Sequence, residues 1–239
     1  MPTSNIFVRT SWAVGIAATC CLAAMAVYPG GTALDPATRG YSLSRNFFSD
    51  LGSTVAYGGQ PNEPGAMLFV ASLAALLVGV AGFLMASYGV FAGPARSWAR
   101  VAIALGVLVC IAFSGVALTP EDRFFMAHVQ FTYSGFRIAP GVAAFLAVAT
   151  FRDTRFPRRA GIVWVLLGAV LCGYLAVLER GPHATSDAGL VTQVVAQKLV
   201  TVAAVLALIF QSYHAARITP VAGERPPRVA VTGGGRPLQ

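Results

Sequence analysis

Six long apolar stretches divide this chain of 239 residues, and each is long enough to cross a lipid bilayer as a helix. A helix rises about 1.5 Å per residue, so crossing the roughly 30 Å hydrocarbon layer takes about 20 apolar residues. Backbone amides inside lipid have to pair within their own segment, which predicts helices for all six stretches. The predicted spans are 12–28, 66–88, 98–118, 129–151, 161–178 and 190–213.

The composition agrees with a membrane protein and excludes other classes. Hydrophobic residues make up 56% of the chain and charged residues 11%, whereas soluble domains carry roughly 25% charged residues. Disordered, collagen-like and coiled-coil chains do not combine so few charges with apolar runs of this length. The predicted fold is therefore all-α, a polytopic bundle of six transmembrane helices with a long ordered outer loop between helices 1 and 2.

The distribution of arginine predicts the orientation in the cell inner (plasma) membrane. With both termini cytoplasmic, eleven arginines lie inside and four outside, while Arg137 and Lys198 fall within spans. This asymmetry follows the positive-inside rule. The net charge of +8 is thus a topology signal. Nucleic acid is not a predicted partner, because the arginines are spread over four segments without a stacking platform of aromatic residues.

The first stretch has an alternative interpretation as a cleaved signal peptide. An Ala-x-Ala pattern at 24–26 follows the apolar run, and Arg9 supplies a positive charge before it. The apolar run continues through Val27 and Tyr28, so an uncleaved span is the preferred interpretation. At the other end, residues 218–239 are rich in proline, glycine and arginine, which predicts a disordered basic cytoplasmic tail.

No cofactor or metal is predicted. The four cysteines, at positions 20, 21, 110 and 172, all lie in predicted spans, away from the oxidising outer loops. The sequence contains no Cys-x-x-Cys pair for zinc, iron–sulfur or covalent haem. The histidines of the outer face are too few for a catalytic zinc site, which normally takes three protein ligands.

The connection between the first two spans, residues 29–65, is predicted to be ordered because it carries several aromatic anchors. The run 46–53 predicts a helical turn that ends at Gly52 in the left-handed conformation. We expect Phe47 and Phe48 to lie at the lipid interface. The polar residues that follow them are expected to turn toward the mouth of the bundle.

This loop carries a resemblance to known families. The element Ser49-Asp50-Leu51-Gly52, followed by Pro61-Asn62-Glu63-Pro64, resembles a group of prokaryotic six-helix membrane proteins, domain-of-unknown-function family 998. It is more distantly similar to the Frag1/DRAM/Sfk1 family, whose first outer loop carries a Ser-Asp-x-Gly element and a following Pro-Glu. His128 also resembles a family position. The likeness covers residues 12–213 and implies a six-helix fold with a theme of membrane-lipid contact, but no reaction.

Two cations, Arg137 and Lys198, fall within predicted spans, each roughly 13–15 Å below the outer boundary at 1.5 Å per residue. A charge in a span costs about 2.5–3.5 kcal/mol on insertion scales and usually faces the interior of a bundle. We therefore predict one polar pocket within the bundle where both cations bind an anionic lipid from the outer leaflet. Membrane lipids are the predicted partners. The other predicted ligand-binding residues are Gln130, Tyr133, Glu179, Gln193 and Gln197.

Three alternatives stay open at this point. A structural or regulatory protein would pair Arg137 or Lys198 with Asp50 or Glu179 to fix the register of the helices. A lipid hydrolase would need a nucleophile and a base on the outer side. The candidate catalytic residues for it are Ser49, Asp50 and His128. A small transporter is the third alternative, although the acids are predicted near the surface rather than at mid-membrane.

Overall fold

The computed structural model describes residues 4–218, which form six long helices. The helices are α1 (Ser4–Val27), α2 (Glu63–Val90), α3 (Gly93–Leu118), α4 (Glu121–Arg152), α5 (Arg158–Arg180) and α6 (Asp187–Ala215). All six are long and apolar enough to cross a membrane. A 3-10 turn, Ser49–Gly52, lies between α1 and α2, and the described part of the chain contains no strand. The predicted six-helix membrane bundle is confirmed.

The predicted spans lie inside the observed helices, except that Tyr28 follows the end of α1. The helices are longer than the spans because a hydropathy window stops where polar residues begin, whereas helical hydrogen bonding continues through them. Within the described residues α1 is helical from Ser4 onward rather than from residue 12, and α4 begins at Glu121 rather than at residue 129. The predicted tail 218–239 lies, apart from Ile218, outside the described residues.

Local sequence signals explain where several helices begin. Pro64 and Pro94 occupy the first turns of α2 and α3, where a missing backbone N–H costs nothing. The Ser186 side chain caps α6 by accepting a hydrogen bond from the Gly189 backbone N–H at 3.2 Å. The short connections between these helices make neighbours in the chain antiparallel neighbours in space.

Glycines allow close contacts between neighbouring helices. A Cβ atom on Gly115 of α3 would lie 2.4 Å from the Phe131 ring of α4, and one on Gly135 of α4 would lie 2.9 Å from the Phe113 ring of α3. Small residues have this role in membrane bundles because helix association in lipid depends on close packing. α3 and α4 consequently pack together along their length.

The bundle has two differently built ends. The end that carries the loop of residues 28–62 is called the long-loop side, and that loop the long loop. At the opposite end, the termini side, the α2–α3 turn is joined to the α4–α5 turn. Asp153 accepts a hydrogen bond from the Ala92 N–H at 3.2 Å and pairs with Arg155 at 2.6 Å, and Arg155 also donates to the Val90 carbonyl. The rings of Phe91 and Phe156, one from each turn, stack on each other and add an apolar contact between the two turns.

Candidate functional site

The long loop enters the bundle instead of staying on its surface. Asn46, Asp50 and Leu51 are at most 1% exposed, and Leu51 belongs to a buried apolar cluster with residues of α1, α2 and α3. The Phe48 N–H donates a hydrogen bond of 2.9 Å to Oε1 of Gln197. Gln197 lies ten residues after the start of α6, which corresponds to ~15 Å along the helix axis. Irregular backbone is tolerated at such depth where protein buries it.

One expectation about the loop is corrected, and another stays a prediction. Phe48 is half-buried and packs against the buried apolar cluster, and the contact of Phe47 and Phe48 with the lipid interface stays a prediction. Gly52 is not in the left-handed conformation, and the predicted turn is a 3-10 turn that continues into extended backbone at Ser53. Glycine is needed at this position for space, since a Cβ atom there would lie 2.6 Å from the Phe69 ring.

Asp50 is the most deeply buried charged residue of the long loop. Its Oδ2 atom accepts hydrogen bonds from Nδ2 of Asn46 at 3.0 Å and from the Phe47 N–H at 2.9 Å. Its Oδ1 atom is buried and has no hydrogen-bond partner among residues 4–218. Burial raises the pKa of Asp50 to about 8, and the nearby Glu121 carboxylate adds to this rise. Those hydrogen bonds and the Lys198 charge oppose it.

Lys198 is fastened to the loop. Its Nζ atom donates a hydrogen bond to the backbone carbonyl of Asn46 and lies over two aromatic rings, 4.9 Å from the Phe48 centroid and 5.3 Å from the Tyr41 centroid. Ring faces attract a cation through their quadrupole. Lys198 does not form the ion pair with Asp50 that the structural alternative allows. The loop itself therefore fills the space where a ligand was predicted.

Arg137 has a different environment. Its Nε atom pairs with Oε1 of Glu179 at 2.7 Å, its guanidinium lies 5.1 Å from the Tyr133 ring, and its side chain is 54% exposed. The Tyr133 hydroxyl donates to the Leu178 carbonyl at 3.2 Å. These contacts join α4 to α5 on the exposed surface of the bundle. The pair with Glu179 is one that the structural alternative predicts.

The structure does not bring Arg137 and Lys198 together in one pocket. α4 packs on α3 and α5, whereas α6 packs on α5, α1 and α2. The two cations share no hydrogen-bond or ion-pair partner in the described chain. The sequence placed both side chains at similar depth, but depth does not determine which neighbour a side chain faces. The single anion pocket is therefore corrected to two separate, satisfied environments.

The remaining predicted ligand-binding residues are dispersed. Gln193 donates to the carbonyls of Val177 and Pro182 and so joins α6 to the end of α5. Gln197 holds the long loop, and Gln130 is exposed at the surface of α4. Gln193 therefore holds a helix end and Gln197 holds the loop, whereas the side chain of Gln130 makes no hydrogen bond within residues 4–218. The three amides do not converge on one site.

Within residues 4–218, no hydrogen bond joins Ser49 to His128, so the candidate catalytic residues do not form a nucleophile–base pair. His128 is 4% exposed, and its Nδ1 atom lies 2.7 Å from the Thr119 carbonyl. A carbonyl only accepts, so Nδ1 carries the proton and Nε2 keeps its lone pair in the neutral ring. Ser49 is half-buried in the 3-10 turn.

Glu121 is a half-buried acid that the sequence places near the surface. It lies within electrostatic range of Asp50 and His128, and it is hydrogen-bonded to the Tyr57 side chain. It lies in the first turn of α4, where an acid suits the helix dipole, but the span predicted from the sequence began only at residue 129. Its hydrogen bond to Tyr57 joins it to the long loop.

An open groove runs between α2 and α3, with a volume of about 520 Å³. Its lining is apolar except for a few atoms, and includes Leu84, Met85, Val107, Ile111, Leu118 and Phe131. From Ile103 to Leu118 it follows α3 for fifteen residues, or ~22 Å, which exceeds half of the roughly 30 Å hydrocarbon layer. Phe131 also packs against the buried loop cluster and thus separates the groove from the long loop.

Comparison with known proteins adds no family to this description. A scan against protein-family models, a search of curated proteins and a search of solved structures each gave no match. Within residues 4–218, no three His, Cys, Asp or Glu side chains lie close enough together to hold a metal ion. The fold and the six spans define the class, an integral multi-pass membrane protein.

Proposed function

We propose that this protein binds a membrane lipid from the outer leaflet, with one acyl chain in the groove between α2 and α3. The observation that supports this proposal is the groove itself, which is apolar, open at the surface of the bundle and about 520 Å³ in volume. If the groove were empty, the side chains that line it on α2 and α3 would lose dispersion contacts, and a hydrocarbon chain lying in the groove restores them. Its length along α3 suits a chain that enters at the long-loop side and lies beside the helix.

The resemblance supports the same proposal. The Ser49-Asp50-Leu51-Gly52 element forms a defined turn, and we infer membership of the family that it resembles, whose distant relatives are associated with lipid remodelling and phospholipid asymmetry. The anionic headgroup that Arg137 and Lys198 were predicted to bind has less support, because Glu179 and Asn46 already occupy those cations. The proposed ligand is therefore defined by its acyl chain.

Two cysteines offer a matched test of the groove. Cys110 lines it, whereas Cys172 is exposed on α5 outside it. Cys110→Trp places a large ring in the groove and should reduce, several-fold, the phospholipid that copurifies after extensive detergent washing. Cys172→Trp should leave it unchanged. Lipid per mole of protein is measured by extraction and mass spectrometry, with circular dichroism as the check of folding. Equal lipid retention in both variants would refute the proposal.

The proposed orientation places the long loop outside the inner (plasma) membrane and both termini in the cytoplasm, on the strength of the arginine asymmetry. Leu43 of the long loop is 66% exposed, and Ser97 on the termini side is also exposed. In intact cells a membrane-impermeant maleimide should label Leu43→Cys directly. Ser97→Cys should become labelled only after the membrane is permeabilised. The reverse pattern would invert the topology.

The ion pair between Arg137 and Glu179 favours a second candidate function, a structural or regulatory protein without a small-molecule ligand. In that case the charges fix how α4 and α5 align. The combined exchange Arg137→Glu and Glu179→Arg should then restore the stability that each single variant loses. Rescue together with the absence of any retained lipid would select this function over lipid binding.

A further inference from the structure

The long loop carries a carboxyl group into the membrane-spanning bundle. The loop reaches the level of Gln197 and Lys198, and Asp50 follows the anchored Phe48 by two residues. Its side chain is 1% exposed. The sequence predicted that the acids lie near the surface, which argued against a small transporter, but a loop that folds inward moves this acid away from water. Ionisable groups buried in a membrane bundle are commonly functional.

The hydrogen bonding of Asp50 is incomplete on one side. Both of its recorded donors, Asn46 and the Phe47 N–H, point at Oδ2. Oδ1 is buried with no partner in the part of the chain described. An ionised carboxylate would spread its charge over both oxygens and would leave half of it unsolvated, which is costly in a buried site. A proton on Oδ1 removes that charge.

The groups that face Asp50 come from several elements. Glu121 of α4 is a second acid and disfavours a second negative charge, whereas Lys198 of α6 favours it. Tyr28, Tyr41 and Tyr57 of the long loop are also within electrostatic range. Lys198 does not neutralise Asp50 directly, because its ammonium is engaged by the Asn46 carbonyl and by two rings.

We propose that Asp50 is a proton-binding site, whose carboxyl group is held neutral inside the bundle and whose proton keeps the long loop docked against α6. The bound ligand is a proton rather than a metal ion, since residues 4–218 offer no set of three metal-ligating side chains. Burial and the neighbouring Glu121 raise the pKa of Asp50 to about 8, which agrees with this geometry. Loss of the proton places an unpaired charge in the interior and weakens loop docking.

The test is isotope-edited infrared spectroscopy of the whole protein in lipid vesicles, with the aspartate carboxyl carbons labelled with carbon-13. A protonated carboxyl has its own C=O stretch, and labelling separates aspartate from Glu121. Ordinary aspartates, with a pKa of about 3.9, are ionised at about pH 6. We expect one protonated aspartate at that pH, and its band should disappear as the pH rises through about 8.

Asp50→Asn should abolish the band. The matched control is Asp35→Asn, which makes the same chemical change at an exposed position of the same loop and should leave the band intact. Absence of the band in the folded wild-type protein would overturn the proposal even if Asp50→Asn does not fold. A band that survives Asp50→Asn would also overturn it.

Discussion

The ammonium group of Lys198 donates a hydrogen bond to the backbone carbonyl of Asn46, 152 positions earlier in the chain. This bond and the neighbouring one from Phe48 to Gln197 fasten the long loop to α6 well below the surface of the bundle. The partner of this cation, which lies within a span, is therefore a backbone carbonyl of a loop of the same protein. The interior of the bundle is organised around this inserted loop.

Removing the charge of Lys198 should release the loop. Lys198→Met keeps the apolar stem but loses the hydrogen bond and the contacts with two rings, which predicts a loss of about 1–3 kcal/mol in stability. Arg45 lies in the loop, so brief trypsin treatment of the variant should cut there faster than in the wild type. Gln130→Met, on the exposed face of α4, is the control. Unchanged cleavage would show that Lys198 does not hold the loop.

The stability of the protein should fall as the pH rises toward alkaline values, and Asp50 is the cause. Its pKa is raised by burial to about 8, above the value of about 3.9 in an unfolded chain. The folded state therefore holds a proton that the unfolded state has lost, so this contribution is complete below about pH 4 and disappears as the pH passes about 8.

Thermal unfolding at a series of pH values checks this sign. Between about pH 5 and 9 the wild-type midpoint should decrease, and Asp50→Asn should reduce that decrease because its side chain does not titrate. Asp35→Asn should follow the wild type. A wild-type midpoint that increases over this range would contradict the assigned protonation of Asp50.

The sequence predicts the helices well because apolar length is a local property. It also predicts that Arg137 and Lys198 lie in spans, since this needs only their position within an apolar run. It does not predict their partners. Glu179 lies on a different helix from Arg137, and Asn46 belongs to a loop, so both contacts depend on how helices rotate and pack.

The long loop shows the same limit more clearly. The aromatic pair Phe47 and Phe48 is equally suited to a lipid interface and to a protein interior, and the sequence does not distinguish them. The groove between α2 and α3 could not be predicted from the sequence, since the apolar residues that line it are of the same kinds as those on the rest of the helix surfaces.

The ion pair between Arg137 and Glu179 should contribute modestly to stability. Both side chains are partly exposed, at 54% and 32%, and Glu179 lies in the last turn of α5. A double-mutant cycle with Arg137→Gln and Glu179→Gln should give a coupling energy of at most about 1 kcal/mol, as for other exposed pairs. The cycle uses reversible unfolding in detergent. A coupling energy of about 3 kcal/mol would indicate a site shielded from water, and the pair would then have to be treated as buried.

Gly52 should tolerate no side chain, because the 3-10 turn presses against α2. A Cβ atom at Gly52 would lie 2.6 Å from Cδ1 of Phe69, and the aromatic ring is itself held in the buried cluster around Leu51. Gly52→Ala should therefore cost about 1–3 kcal/mol through overpacking. Gly173 of α5 has no atom within 4 Å of the corresponding position, so Gly173→Ala should be neutral or slightly stabilising in its helix. Phe69→Leu should recover part of the stability lost in Gly52→Ala, because the smaller side chain leaves room for the added methyl group. Recovery, measured by the unfolding midpoint, would locate the loss at this contact, and a Gly52→Ala variant as stable as the wild type would show that the turn does not pack as tightly as its geometry indicates.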